Sequence, residues 1–440
     1  MLKTKLTSLL SIVPMQITTK YTKIAVFGAG LSGQSVRALG IGLGAEVCVF
    51  DEGGKGDASD FNEQLLESFD AFVFSPGFAK EHPWRSLVER SHKPCYSELG
   101  FAASHWRGKL IGITGTNGKT SLTSLLYKAL KSNGICAFEA GNIGIPLSDL
   151  ILSDTNTKDA FVVCEISSFQ AELPKGLKLD GLIWTNFAED HLNRYATMHD
   201  YFSAKSNLLQ YRRPGAPAFL GDSVPDFNSS VLNEPDVFII DGEKNLERVY
   251  QLSPESIFRE NPQAFNFSLA DALWRSLGFP VQKLLDSANV FKAIPHRLNR
   301  VVEWGDVVFW NDSKATNFHA ALAAINSIKK GIYWIAGGSY KGGDLQSFVN
   351  AAAPKVERTF LYGAVAKEMA DYFRKTGMPF EVHEVFEQAV TAATQAALVN
   401  APSAVLLSPG FASFDQFSGY GERGDTFTTT ILKLKDKGLP

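Results

Sequence analysis

The sequence predicts an α/β protein of three domains, and three features carry that reading. Its 440 residues exceed one ordinary hydrophobic core and suggest roughly three. Short apolar runs alternate with amphipathic stretches, the pattern of doubly wound parallel sheets. Most of these runs close on glycine or small polar residues, where ligands collect in open α/β sheets.

Residues 1–20 stand apart. Lys3 and Lys5 precede a short apolar patch as in a signal peptide, but Thr7, Ser8 and Ser11 interrupt it and no small-residue cleavage site follows. A disordered tail is expected there, or a true start at Met15. A first Rossmann-like domain is predicted over 21–107. KIAVFGAG reads as a buried strand running into a glycine turn, LSGQSVRALGIGLG as a helix ending at glycines, and AEVCVFDE as a strand ending in acid. FDAFVFSPGF is a further strand, closing on Ser75-Pro76-Gly77. A central domain with a parallel sheet is predicted over 108–296. The strand KLIGITG leads into a second glycine turn, then the helix SLTSLLYKALKSNG and the strands FVVCEIS and GLIWTNF. Residues 215–262, richer in Pro, Asn and Asp, give the least readable pattern. A third, Rossmann-like domain is predicted over 297–440 from VVFWNDSKAT, IYWIAGG, RTFLYGA and AVLLSPG.

Bulk composition narrows the partners. With 45% hydrophobic residues, 20% charged residues and a net charge of −3, there is no global positive field to draw nucleic acid. No apolar run approaches the ~20 residues of a membrane span. The four cysteines, Cys48, Cys95, Cys136 and Cys164, form no CxxC pair and suit reduced thiols in a cytoplasmic protein.

GITGTNGKTS, Gly112 to Ser121, is a variant phosphate loop, with Gly112 one residue from where GxxxxGK[ST] has its first glycine. A strand precedes it and an amphipathic helix follows. Gly115, Thr116, Asn117 and Gly118 would converge backbone N–H groups on phosphate oxygens. Lys119 would add a point charge, and Thr120 a hydroxyl for Mg²⁺. The plainer reading is an ordinary strand–helix turn. GAGLSG, Gly28 to Gly33, fits GxGxxG, and Asp51 ends the next strand as in a dinucleotide site. The same turn can hold a nucleotide-sugar diphosphate, or nothing. Glu165 in CEISSFQAE and His191 in TNFAEDHLNRY follow apolar strands, which sets them beside the Lys119 turn, where a carboxylate is a natural Mg²⁺ ligand. Lys205, on a predicted helix, reads by itself as a solvated lysine. Asp312, Lys314 and Thr316 in NDSKATN, Lys341 in GGSYKGGD and Ser413 in SPGFASFDQF are polar groups at strand ends. They suit a small acidic ligand, or are plain loop polarity.

From about Lys23 to its end the chain resembles the Mur ligase family, in its D-glutamate-adding branch. The marks are GTNGKT, GNIG (Gly141 to Gly144), EISSFQ, EDHLNRY, His296-Arg297, NDSKATN, SPGFASFDQF and Arg423-Gly424. The resemblance implies an N-terminal UDP-binding domain, a central ATPase and a C-terminal amino-acid-binding domain. It implies an ATP-dependent ligase of cytoplasmic peptidoglycan synthesis, acting as a monomer on small molecules with no nucleic acid or membrane partner. UDP-N-acetylmuramoyl-L-alanine would be phosphorylated on its carboxylate, and D-glutamate would attack the acyl phosphate. Leu31, Ser32, Asp51, Ser75 and Gly77 would take the UDP end, with Asn142, Gln170 and His191 around the muramoyl-alanine. ATP would meet the Lys119 loop, Asn266, Arg297 and Asp312. D-glutamate would meet Thr316, Lys341, Ser413 and Tyr420. Two Mg²⁺ sites are implied, one at Thr120 and Glu165, the other at His191 bridged by Lys205 as its carbamate, with Lys119, Glu165, His191 and Lys205 as the catalytic set. Phe265 and Leu269 depart from the family pattern of His and a second Asn, Tyr420 stands where Phe is common, and no acid precedes Lys341. Gly53 replaces a basic residue.

Three rivals remain at this level. Another ligase of the superfamily would change the added amino acid, although a folate-extending one lacks a UDP domain. A nicotinamide-dependent oxidoreductase would use GAGLSG but leave Lys119, Glu165 and His191 idle. A silent binding homologue would have no use for all four intact catalytic positions.

Overall fold

The computed structural model describes residues 18–438 apart from 243, 245 and 293, so Met15 and all of the expected 1–20 tail except residues 18–20 lie outside the described residues. Three sheets carry the chain. The first contains β1 (Lys23–Phe27), β2 (Glu46–Phe50), β3 (Ala71–Phe74) and β4 (Cys95–Ser97), in the order β2-β1-β3-β4 and all parallel. The second contains β5 (Lys109–Thr114), β6 (Ala137–Gly141), β7 (Phe161–Glu165), β8 (Gly181–Trp184), β9 (Ala218–Gly221) and β10 (Val237–Ile240), in the order β10-β9-β8-β5-β7-β6. The third contains β11 (Asn299–Trp304), β12 (Val307–Asn311), β13 (Gly331–Gly337), β14 (Arg358–Tyr362), β15 (Phe380–His383) and β16 (Ser403–Gly410). Its order is β11-β12-β16-β13-β14-β15, parallel except for the antiparallel edge strand β11. Mixed α/β architecture with parallel sheets is therefore what the alternating pattern produces. The poorly patterned 215–262 stretch still yields β9 and β10, with short helical turns around them.

Burial explains why these strands read as near-continuous apolar runs. In β13, Ile332, Trp334 and Ala336 enter one core cluster while Tyr333 and Ile335 enter another. Side chains alternate between faces, so a strand apolar at every position needs helices on both sides. In the first sheet the core is aromatic: Phe27 stacks on Phe74 with centroids 4.1 Å apart, and Phe50, Phe72 and Trp84 share the cluster. Truncating such a buried Phe to Ala costs roughly 3–5 kcal/mol.

The chain forms two compact units that do not follow its linear order. One comprises the first sheet's residues up to Leu110 together with Ala140–Phe161 and Phe169–Lys178; the other comprises Ile111–Glu139, Val162–Ser168 and everything from Leu179 on. Among the described residues no helix is long and apolar enough to cross a membrane.

Candidate active site

In the first unit, the strand order places the topological switch between β1 and β3, where Gly28 and Ser75 meet. Gly28 has φ +99°, and a Cβ there would sit 2.8 Å from Ser75 Oγ. At Gly33 a Cβ would lie 1.8 Å from the Gly28 carbonyl oxygen, so only glycine lets the helix Leu31–Gly42 start so close to the strand. That helix has Gly30 as its N-cap with no side-chain cap, and Leu31 at its start is 71% exposed. Asp51 turns inward to this loop: its Oδ2 accepts the Ala29 N–H at 2.9 Å, and that bond holds the carboxyl below its usual range. Gly77 and Asn142 are exposed, Ser32 is half-buried and Gln170 is buried; all belong to the same unit.

In the second unit, Gly115 and Gly118 shape the Lys119 loop. Gly115 has φ +138° and abuts Thr185 at the end of β8, where a Cβ would meet Oγ1 at 1.9 Å. Gly118, at φ +85°, caps the helix Lys119–Ser132 and lies against the Asn266 amide. Thr116 Oγ1 donates to the Ala188 carbonyl at 3.2 Å, and the Asn117 N–H donates to Asn186 Oδ1 at 2.9 Å. The loop is thus braced from β8 and its following turn before any ligand arrives.

Cations crowd this loop. Lys119 Nζ donates to the carbonyls of Gly115 and Thr116, each at 2.8 Å, and Lys205 Nζ donates to the same Gly115 carbonyl at 2.9 Å. Lys205 is only 1% exposed on the helix Met198–Gln210. Burial first, and then the neighbouring Lys119, push its pKa well below the ordinary lysine value. Burial likewise lowers Lys119. Arg297, from the start of the third sheet, donates to Thr120 Oγ1 at 2.7 Å. Buried Glu165, at the end of β7, is the carboxylate whose charge acts on Lys119, Lys205, Arg297 and Lys314 together.

His191 sits in the left-handed region at φ +59°. Burial depresses its imidazole, with Lys341, Lys205 and Lys119 adding to the effect against Asp190, so the ring is neutral at pH 7. Asp190 is a residue whose weight the linear pattern did not disclose. It accepts from Asn317 Nδ2 at 3.1 Å and pairs with Lys341 Nζ at 3.6 Å. Burial alone would raise its pKa, but Lys341, His191 and these bonds hold it below the usual value.

Loops at the ends of β12, β13 and β16 supply the third group. Thr316 and Lys341 line one small pocket with Glu189, Asp190, Tyr340 and Phe411. Ser413 is buried just beyond Ala412, which bridges to Ser339. Tyr420 instead faces Lys314, whose Nζ stands 3.7 Å from the ring centroid and whose pKa burial lowers to about 8. Asp312 accepts from Ser408 Oγ at 2.7 Å and the Leu298 N–H at 3.0 Å, and burial raises its pKa to about 7. Fully buried Arg423 ties Ser313, Tyr362 and the Phe411 carbonyl together, and Ser313 Oγ donates to the Tyr420 carbonyl at 2.8 Å. Phe265 packs against Gly221 and Gly242, and Leu269 is wholly buried, so both departures from the family pattern serve packing; Asn266 alone touches the loop glycine.

Among the described residues no group of three or more His, Cys, Asp and Glu forms a ready metal cage. The Glu165 carboxylate and Thr120 hydroxyl are hard oxygen donors, which suit Mg²⁺ when phosphate oxygens and water complete the shell. Neutral His191 suits a second cation, while Lys205 as an amine brings it no anionic oxygen.

A Mur ligase middle-domain profile matches residues 113–247, and a Mur ligase glutamate-ligase-domain profile matches residues 296–411. The UDP-N-acetylmuramoylalanine–D-glutamate ligase of Gloeobacter violaceus is 33% identical to this chain, over 93% of it and 99% of the relative. The corresponding ligase of Prochlorococcus marinus is 32% identical over 84% of each chain. Among solved structures, a pseudomurein peptide ligase type C from Methanothermus fervidus matches with TM-score 0.58 at 16% identity, over 94% of this chain and 100% of that one. The UDP-N-acetylmuramate–alanine ligase of Thermotoga maritima matches with TM-score 0.57 at 14% identity, over 95% and 100%. At such identities the structures speak for the fold.

Proposed function

The chain belongs to the Mur ligase family, among its UDP-N-acetylmuramoylalanine–D-glutamate ligases, and on that premise we propose the reaction and the part each residue plays. The reading is an ATP-dependent ligase that joins D-glutamate to the L-alanyl carboxylate of UDP-N-acetylmuramoyl-L-alanine, releasing ADP and phosphate, in cytoplasmic peptidoglycan precursor synthesis. The nicotinamide reading of GAGLSG falls, because relatives covering nearly the whole chain are ligases.

The observation that supports the proposal is the meeting of a lysine-bearing glycine loop with the pocket lined by Thr316 and Lys341 in one compact unit, through Asn117, Asn317 and Asp190. A carboxylate resists attack by an amine because oxide is a poor leaving group. Transfer of the γ-phosphoryl group makes phosphate the leaving group instead. Lys119, already aimed along the loop, would neutralise the transferring phosphoryl oxygens, and Arg297 would turn from Thr120 to the phosphates. Mg²⁺ at Thr120 and Glu165 would supply further charge neutralisation. Burial lowers the pKa of Lys205 and so favours the uncharged amine, the form that adds CO₂: a nitrogen–carbon bond would form, a proton would leave, and the product would be an anionic carbamate. That carbamate, with His191, would hold a second Mg²⁺. Asn266 would contact ATP, and Asp312 would lie near its ribose or phosphates. Lys341, Thr316, Ser413 and Tyr420 would receive D-glutamate. Leu31, Ser32, Asp51, Ser75 and Gly77 would take the UDP end, and Asn142, Gln170 and His191 the muramoyl-alanine. The functional division would then be a UDP-binding domain over 21–107, an ATP-binding domain over 108–296 and an amino-acid-binding domain over 297–440, in a monomer.

Phosphate release by purified protein with Mg-ATP and UDP-N-acetylmuramoyl-L-alanine, across a panel of D- and L-amino acids, tests this. Release that requires D-glutamate is expected. Release with a different amino acid would keep the ligase and replace the substrate.

A further inference from the structure

Asn317 opens the helix Phe318–Ser327, and its Oδ1 accepts the Ala320 N–H at 2.9 Å as an N-cap. The rest of its amide makes bonds that a cap does not need. Nδ2 donates to Asp190 Oδ2 at 3.1 Å and to Asn117 Oδ1 at 3.2 Å, while Asn117 Nδ2 donates back to Asn317 Oδ1 at 3.3 Å. Both protons and both lone-pair directions of this amide are occupied, in a side chain only 7% exposed. Asn117 belongs to the glycine loop, between Gly115 and Gly118. Asp190, at the other end, holds Lys341, which lines the pocket with Thr316. Asn117 is part-buried and its Nδ2 also meets His319 Nδ1 at 3.2 Å, but moving either loop alone would strip partners from the buried Asn317 amide, which is costly, so a position taken on one side is imposed on the other.

We propose that Asn317 is a positioning residue that couples occupancy of the Lys119 loop to the Thr316–Lys341 pocket. A nucleotide that orders Asn117 draws Asn317 into register, and through Asp190 this sets the Lys341 ammonium for an acidic amino acid. The inference rests on nucleotide binding at the loop and D-glutamate binding at the pocket, as proposed above.

The test is a calorimetric titration of D-glutamate into the full chain, with and without a non-hydrolysable ATP analogue and Mg²⁺, for the wild type and for Asn317→Ser. Serine keeps an N-cap acceptor but is too short to bridge both loops. The wild type should bind D-glutamate about tenfold more tightly with the nucleotide present. In Asn317→Ser that factor should fall below about twofold, with KM for D-glutamate raised more than kcat is lowered. An undiminished factor in the variant, or none in the wild type, overturns the coupling. A wild type that binds nucleotide but no D-glutamate would instead sink the substrate assignment. The link is then decided by the nucleotide-induced rise in Tm in Asn117→Ala, Asn317→Ser and the double variant. Non-additive losses support the bridge, and additive losses overturn it.

Discussion

Gly33 and Gly115 are glycine for the same reason: a Cβ would strike the chain, 1.8 Å from the Gly28 oxygen in one turn and 1.9 Å from Thr185 Oγ1 in the other. What surrounds the two turns is different. Around the first, a carboxylate accepts one of the loop N–H groups, and the helix start is left uncapped beside exposed Leu31. Around the second, Lys119 and Lys205 share one carbonyl, and Arg297 reaches the next hydroxyl. Glycine spacing therefore builds the cradle, while neighbouring charge decides what chemistry it can host. One anion beside the loop N–H groups suits binding; basic side chains gathered with the carboxylates Glu165 and Asp190 suit stabilisation of a transferring phosphoryl group.

The largest effect should come from removing the charge that sets the second turn apart. Lys119→Ala should cut phosphate release by about 1,000-fold with an unchanged far-UV spectrum. Activity near wild type would erase the distinction between the turns. Next, Lys205→Ala should lose about 100-fold in turnover and recover part of it with millimolar acetate or propionate, small carboxylates that replace a carbamate oxygen pair. If no short acid rescues at any concentration, Lys205 acts as an amine and the second metal site is misassigned.

A smaller change probes the shared backbone device. Gly33→Ala should destabilise the protein by about 1–3 kcal/mol, read as a lowered urea midpoint, because the helix start must move off the strand. Nucleotide binding at the second turn should persist in that variant; its loss would mean the turns are not separable.

The smallest effect sharpens a contrast between two strand-end carboxyls. Asp51 is lowered by the Ala29 N–H, so it contributes stability above the usual carboxylate range, lost as pH falls through its depressed folded value. Asp312 is raised to about 7 by burial. Its folded form binds the proton more tightly than the unfolded chain, so stability is greatest at low pH and declines as pH rises towards 7. Asp51→Asn and Asp312→Asn should therefore change the slope of stability against pH in opposite senses, measured by urea titration between pH 3 and 8. Slopes changed in the same sense would contradict this account of Asp312 burial.

Local pattern carried the strand–helix alternation, both glycine turns and the strand-end positions of Asp51, Glu165, His191 and Asp312, since these depend on residues a few places apart. It did not disclose β4, β6, β11 or β15, which are short, exposed or mixed in polarity. Nor did it show what Asp190, Asn317 and Arg423 do: they stood within EDHLNRY, NDSKATN and Arg423-Gly424 as marks of a resemblance, while their partners Lys341, Asn117 and Tyr362 lie far off in sequence. Lys205 shows the limit most clearly. On its helix it reads as a solvated lysine, and only the packing of that helix under Gly115, 90 residues away in sequence, buries its amine. By itself the sequence determined which segments become buried strands and where the backbone must turn through glycine, because those are matters of side-chain periodicity and Cβ sterics. Tertiary structure alone decided which charges meet, because Coulomb energy and desolvation depend on distance and burial, and neither has a signature along the chain.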